Sequence, residues 1–451
     1  MTDISIPTKD SKDPQTVVNS GVNSGVNSGV NSGVSSGVNI KHQHQYQSSH
    51  SKKSTRSSKR KRRTGRKYRR GISSAKSSYY RHKNAANVGV IYTDKSKRLD
   101  MSLGNPYIFN DYWHHHQGSI SYRSDNQGDY QILDPLILAK EIDLLQAKLN
   151  CTYSPVKDYP NPMIMGLGST QLFNAAIHAI TTLNPGIKCK IYIPSPQYLF
   201  YRSILHHNFK SSTIIVNNPA DLTSKDVCIE LVTSPNNPTG TRENKQIFAD
   251  YTIYDRVYDY PMYNSTSQSV TDDTVSLFSC SYLMGLAGSR FGYALCRDVD
   301  ISQLMSEYIV NSTFGLSSDA LLRCYRGYQH INHNFEQYFE YFNVKMARRW
   351  YLVERIFEHF EPDNGLVPDN SLPNIKLINH EGGYIYLYME GVDAYQYFKK
   401  VVDIEGVAGS HFYPPDDEDS YQYVRLNLML NDRSFKCFVI RMTELISSQE
   451  H

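Results

Sequence analysis

Between residues 160 and 300 short apolar runs alternate with helix-like stretches, and this alternation restricts the chain more than any other feature of its sequence. The runs are "KIYIP" at 190–194, "STIIVN" at 212–217, "VCIELVTS" at 227–234, "YTIYD" at 251–255, "SLFSC" at 276–280 and "GYALC" at 292–296. Each is strand-length and bounded by polar, proline or glycine residues. Strands that alternate with helices predict an α/β fold, a mostly parallel sheet with helices on both faces. Beyond residue 300 a long helical region runs to about Phe360. After it "NIKLI", "GGYIYLYM" and "YVRLNLML" interleave with the helical "VDAYQYFKKVV" and "RSFKCFVIRMTELI", which predicts a smaller C-terminal α+β domain.

Charge divides the chain unevenly. Residues 1–83 hold 18 Lys+Arg against 3 Asp+Glu, about +15, and the remainder is about −11, so the net +4 is a tail and a body cancelling. The tail repeats "NSGV" from Asn19 to Val38. One small apolar residue per unit cannot offset the entropy of ordering its backbone. The run 51–71, "SKKSTRSSKRKRRTGRKYRRG", repels itself and attracts phosphate backbones. Around Lys59 to Arg63 it resembles a nuclear-import signal. Nucleic acid and an import receptor are its candidate partners, and a solvated tail with no partner is the plainer alternative. The expected organisation is a disordered basic tail (1–83), a large α/β part (84–300) that includes the N-terminal segment of the small domain, and connecting helices with the small domain (301–451).

The seven cysteines all fall in the body, without a CxxC, so free thiols are expected rather than disulfides or a metal site. The first residues lack a signal-peptide apolar run, and no stretch of 18 apolar residues occurs. An intracellular protein, cytoplasmic or nuclear and not secreted, with no membrane partner is the expectation.

Ligands of open α/β sheets bind beyond the carboxyl ends of strands, so motifs placed there carry the most weight. "MGLGSTQLFNAAIHAI" at 165–180 has two glycines for a tight turn, Ser169 and Thr170 as caps, and a following amphipathic helix. Free amides at such a start suit an anion. "SPNNPTG" at 234–240 predicts an extended loop that presents Asn237 rigidly, with a helical stretch carrying Lys245 after it. "YDRVYDYP" puts Asp255 at a strand end and Tyr258 three residues on. A carboxylate there can keep a pyridine nitrogen protonated, and a phenol can donate to a ring oxygen.

With "GNPYIFNDYW" at 104–113, "GSTQL" at 168–172, "AGSRFGYAL" at 287–295 and "YVRLNL" at 423–428, the chain resembles fold-type-I pyridoxal-phosphate enzymes of the aminotransferase superfamily. Within them it is most similar to the alliinase and tryptophan-aminotransferase-related group. The motifs span residues 97 to about 447 in the family's order. The resemblance implies a seven-stranded, mostly parallel sheet, a homodimer, and an amino acid or 2-oxo acid as small-molecule ligand. It assigns Asp255 to the pyridine nitrogen, Asn237 and Tyr258 to the ring oxygen, and Tyr198 to ring stacking. Ser169, Thr170, Ser279 and Arg290 would hold the phosphate, Arg425 the substrate carboxylate, and Gly104 would line the substrate side. A core aromatic at Tyr198 and a surface ion pair at Arg425 are the plainer alternatives.

In this superfamily the Schiff-base lysine lies eight residues before the phosphate arginine and three after a phosphate-binding serine or threonine. Counting from Arg290 and from Ser279 reaches the same position, and it holds Tyr282. A phenol cannot form an imine, and with a reference pKa of about 10 it is a poor base at neutral pH. Loss of a general base alone forfeits about 10² to 10⁴ in rate. Departures surround it: "GNP" replaces GDP, and Leu283, Met284 and Leu286 stand where the group has small or polar residues and histidine. Three readings remain open: a pseudoenzyme that binds pyridoxal or pyridoxamine phosphate without a covalent link, an active transaminase or C–S lyase with a non-lysine acid/base, and a nucleic-acid-binding or nuclear protein that acts through its tail.

Overall fold

The structure, a computed structural model, describes residues 98–121, 133–149, 163–264, 273–360 and 374–447. These lie within the compact unit Tyr92–His451. The NSGV repeat, the basic run and the rest of the expected tail 1–83 fall outside the described residues, as does Cys151. The other six cysteines are free thiols.

In chain order, β1 (Leu99–Asp100) precedes α1 (Asn110–His115), α2 (Gln117–Ile120) and α3 (Pro135–Lys148). Then come β2 (Met163–Gly166), α4 (Ser169–Leu183), β3 (Cys189–Tyr192), α5 (Tyr201–Asn208), β4 (Thr213–Val216) and β5 (Cys228–Thr233). β6 (Tyr251–Asp255), β7 (Val275–Ser279), α6 (Cys280–Met284) and β8 (Gly292–Cys296) complete the alternating region. The helical stretch resolves into α7 (Val299–Thr313), α8 (Ser318–His333) and α9 (Phe335–Phe357). The C-terminal part holds β9 (Ile375–Leu377), β10 (Tyr384–Met389), α10 (Ala394–Lys400), β11 (Ile404–Glu405), β12 (Val407–Ala408), β13 (Tyr423–Asn427) and α11 (Asp432–Ser447).

The large sheet has the order β2-β8-β7-β6-β5-β3-β4. Only β8 runs against its neighbours. All six apolar runs read from the sequence are strands of this sheet. The seventh strand, β2, lies at its edge, and its four residues are the entrance to the glycine turn. The smaller sheet is antiparallel, β12-β13-β10-β9, and β1 pairs in parallel with β11.

Local chemistry accounts for the elements that frame the carboxyl edge. β5, β7 and β8 are buried at every residue, as a sheet covered on both faces requires. α4 buries Leu172, Phe173, Ile177 and Ile180 together with Ala175, Ala176 and Ala179, and these small residues let α7 pack closely on it. It stops at Asn184, ahead of Pro185, because a proline disfavours the helical conformation of the residue before it. α6 starts on Ser279, whose hydroxyl accepts from the Ser281 amide at 3.1 Å. After five residues it stops at Gly285, which is left-handed (φ 71°).

Three local expectations are corrected. Ser169 and Thr170 do not cap α4: the cap position is Gly168, at φ 81°, and no side chain caps there. No helix follows "SPNNPTG", and residues 241–250 form an irregular loop. Its amides are taken by other partners: Glu230, buried in β5, accepts from Gln246 at 2.6 Å and from Ile247 at 3.4 Å, and Tyr254 accepts from Lys245 at 3.2 Å. The motif itself is a closed turn rather than extended, with the Gly240 amide bonded to the Asn236 carbonyl at 2.9 Å. No described helix is long and apolar enough to cross a membrane.

Beside Asp255 the sheet edge is clamped by charge. Arg256, 2% exposed, reaches Asp273 at 2.8 Å and Asp259 at 3.3 Å, and Asp259 also takes Arg242 at 2.9 Å. Removing one partner of a buried pair leaves the other charged and dry. Arg256→Leu is therefore expected to destabilise the protein by about 3–5 kcal/mol in urea unfolding, whereas Arg355→Leu, in an exposed pair with Glu358, should cost under about 1 kcal/mol.

Candidate functional site

Thr233, Asp255 and Ser279 are the last residues of β5, β6 and β7, and beyond them opens a cavity of about 100 Å³. Its lining includes Ser169, Thr170, Tyr198, Asn237, Asp255, Tyr258, Ser279, Tyr282 and Arg290. All nine of these positions were singled out in the sequence. Gly104 and Arg425 adjoin this group through the contacts described below.

Asp255 is buried, and its carboxylate accepts from the Tyr201 hydroxyl at 2.6 Å and from the Val257 amide at 3.3 Å. Both donors are neutral. Burial therefore dominates, pushing the carboxyl up to about 6 from its ordinary 3.8 against the opposing effect of those two bonds. A cation placed against this oxygen would hold it ionised, and a protonated ring nitrogen is such a cation.

The opposite end of the cavity suits an anion. Arg290, left-handed at φ 51°, donates to the Ala287 carbonyl at 3.0 Å and to the Leu167 carbonyl at 3.4 Å. It reaches the uncapped start of α4 only because residue 168 is glycine: a Cβ there would sit 2.7 Å from its Nη2. The hydroxyls of Ser169, Thr170 and Ser279 share the cavity with this guanidinium and with the helix amides.

Arg425 is 3% exposed, so the surface-pair alternative fails. Its Nη1 donates to Asn237 Oδ1 at 2.8 Å and its Nη2 to the Ser102 carbonyl at 3.0 Å. Nε is buried and has no partner among the described residues. Asn237 in turn donates to the Tyr258 hydroxyl at 3.1 Å. These groups fit a phosphorylated pyridine in kind: a carboxylate short of a cation, a guanidinium with hydroxyls at a helix start, and a buried arginine with an idle donor.

Tyr282 lies in the middle of α6, half-buried, with its ring 4.4 Å from that of Tyr258. The Tyr263 hydroxyl fixes its backbone by donating to the Tyr282 carbonyl at 3.0 Å. Burial first, then the neighbouring Tyr384 and Tyr198, raise the Tyr282 phenol well above its ordinary range. Tyr258 is raised in the same way, by burial and then by Tyr282 and Tyr384. Both hydroxyls therefore stay protonated at neutral pH. Among the described residues no lysine lines the cavity, and Lys245 is exposed on its loop.

Sequence reasoning missed four members of this site. Tyr201, the partner of Asp255, lies three residues after Tyr198 in "SPQYLFY", where its periodicity alone reads as core. Thr233 lies in the run "VCIELVTS", read only as a strand, and Ser281 directly precedes Tyr282. Tyr384, whose hydroxyl meets that of Tyr258 at 2.8 Å, lies in "GGYIYLYM", a strand with no local sign of chemistry.

The "Allinase" family model matches residues 99–446. Tryptophan aminotransferase-related protein 2 of Arabidopsis thaliana is 26% identical over 395 residues, covering 81% of this chain and 85% of its own. An alliin lyase of Allium cepa var. aggregatum is 26% identical over 234 residues, covering 50% and 52% respectively. Among solved structures, an aminotransferase from Staphylococcus aureus aligns with a TM-score of 0.57 at 18% identity, covering 81% of this chain and 99% of that one, a likeness of fold. On the extent of the family match and the order of its motifs, the chain belongs to the alliinase family, within the fold-type-I pyridoxal-phosphate-dependent aminotransferase superfamily.

Proposed function

We propose that this protein holds pyridoxal or pyridoxamine phosphate non-covalently in the cavity beyond β5, β6 and β7, and that it is a catalytically impaired member of its family. The observation that carries this reading is Tyr282: a protonated phenol stands where the family's lysine amine would be, while the ring-holding and anion-holding groups around it remain. Asp255 would hold the ring nitrogen, Asn237 and Tyr258 the ring oxygen, and Tyr198 the ring face. Ser169, Thr170, Ser279, Arg290 and the α4 amides would take the phosphate, and Arg425 stands at the family's position for a substrate carboxylate.

When bound, the cofactor supplies an electron-withdrawing ring to stabilise negative charge at a substrate carbon. What this chain lacks is the amine that would attach it and then move the proton. Tyr282 can donate a hydrogen bond but does not accept a proton at neutral pH, which disfavours the alternative of an active enzyme that uses it as its base. Two further proposals stand apart from the cavity: a homodimer, which rests on the family resemblance and is checked by sedimentation, and contact of residues 51–71 with nucleic acid or an import receptor, which rests on the charge of that run and is checked by deleting residues 1–83.

Two measurements test the cofactor reading. Incubated with pyridoxal phosphate, the natural protein should retain it through gel filtration and yield no adduct on borohydride reduction, whereas Tyr282→Lys should yield one adduct per chain by mass spectrometry. A reducible adduct in the natural protein would overturn the reading. The second follows from Asp255. Its carboxyl titrates higher in the folded state than in the unfolded one, so the stability it contributes is complete below about pH 4 and is lost as pH rises through about 6. The cofactor-free protein should lose up to about 3 kcal/mol over that window through this group. Asp255→Asn should abolish that part of the loss, and bound cofactor should reduce it, as read by urea unfolding at pH 4 and pH 7.

A further inference from the structure

Tyr384 accounts for a feature that the family resemblance does not: the carboxylate-holding arginine is already covered. The Arg425 guanidinium lies over the Tyr384 ring, 4.2 Å from Cζ to the ring centre, and over that of Phe412 at 5.3 Å. Two guanidinium nitrogens are committed to neutral acceptors, Asn237 and the Ser102 carbonyl. Nε is buried with no partner among the described residues, and Nη1 and Nη2 each keep a second N–H. A carboxylate binds a guanidinium edge-on through two parallel bonds, and the Tyr384 side chain, lying between Arg425 and Gly104, stands in the space it would enter.

The other end of the Tyr384 side chain is held just as firmly. Its hydroxyl bonds to the Tyr258 hydroxyl at 2.8 Å and presses against Gly104, where a Cβ would come within 2.5 Å of it and 3.5 Å from the Tyr282 hydroxyl. The segment that carries Gly104 cannot retreat, because Asn427 binds the Leu103 carbonyl at 2.7 Å and the Asn105 carbonyl at 3.0 Å. Asn427 is also the register partner of Tyr384 across β10 and β13. Asn379 fixes the Tyr384 carbonyl at 2.8 Å. The phenol thus spans the space between Arg425, Gly104 and Tyr258, clamped at both ends and 2% exposed.

We propose that Tyr384 is a specificity-determining plug: it occupies the carboxylate subsite and excludes amino acids and 2-oxo acids, leaving the protein a receptor for the phosphorylated pyridine alone. The proposal rests on the reading of Arg425 as the carboxylate group. It does not require the cofactor to be present. Together, the Tyr282 phenol and the Tyr384 plug close the substrate side of the cavity while the phosphate end stays open, with Arg290 exposed.

The test is calorimetric titration of the natural protein, Tyr384→Ala and Tyr384→Phe with pyruvate and with L-alanine, each with and without pyridoxamine phosphate. The natural protein and Tyr384→Phe, which keeps the ring on the guanidinium, should bind neither probe at millimolar concentration. Tyr384→Ala should bind pyruvate at least 10-fold more tightly, and adding Arg425→Met should abolish the gain. Should the alanine variant not fold, Tyr384→Ser opens the same space while keeping a short hydroxyl, and the same gain is expected. Equal pyruvate binding by the natural and opened proteins, no gain in either opened variant, or a gain that survives Arg425→Met would overturn the plug. Retention of pyridoxamine phosphate is read separately from its absorbance. If retention fails while the pyruvate gain holds, the cofactor reading falls and the plug stands.

Discussion

The hydrogen bond from Arg425 to Asn237 joins the small sheet to the large one at the floor of the site. A buried guanidinium cannot be left without acceptors, so β13, the turn after β5 and the Ser102 carbonyl must meet at one point. From there Asn237 passes the constraint to Tyr258, and Tyr258 to Tyr384. Residues more than 180 positions apart are thereby placed within one hydrogen-bonded chain. The site is a joint of the fold as much as a binding place, which gives its polar groups a structural reason to persist alongside any chemical one.

The replacement of a lysine by Tyr282 leaves the rest of the cavity assembled because each holding group is carried by a different element. Asp255 ends β6, the phosphate-side hydroxyls come from α4 and β7, and Arg290 precedes β8. A change in the middle of α6 alters the chemistry at one point without moving those groups. The phenol is accommodated by packing its ring, tilted by 40°, against that of Tyr258 rather than by extending into solvent. An ammonium on a flexible stem would need charge compensation there, whereas a flat neutral ring needs contact and a hydrogen-bond partner.

Much of this arrangement was legible in the sequence. Six strands of the large sheet could be read because buried strands between polar breaks leave a local signal, and the small sheet could be read from "NIKLI", "GGYIYLYM" and "YVRLNL". The nine cavity residues were legible because they follow strand ends or glycine turns in an ordered set of motifs. The failures were places where a distant partner decided the outcome. The loop 241–250 gives its amides to Glu230 and Tyr254 instead of forming a helix, and α4 is capped by a glycine so that Arg290 can approach its start.

The sequence alone determined the fold class, the family and the absence of a lysine at position 282, because these depend on local periodicity and on counting between motifs. Tertiary structure decided what surrounds that position. The raised pKa values of Tyr282 and Asp255 are consequences of the burial of these particular side chains, which the motif spacing does not encode. The placement of Tyr384 over Arg425 depends on the pairing of β10 with β13, 41 residues apart at Tyr384 and Arg425, and on the clamp that Asn427 applies to the segment around Gly104. A side chain's role in such a site is set by what the fold brings against it.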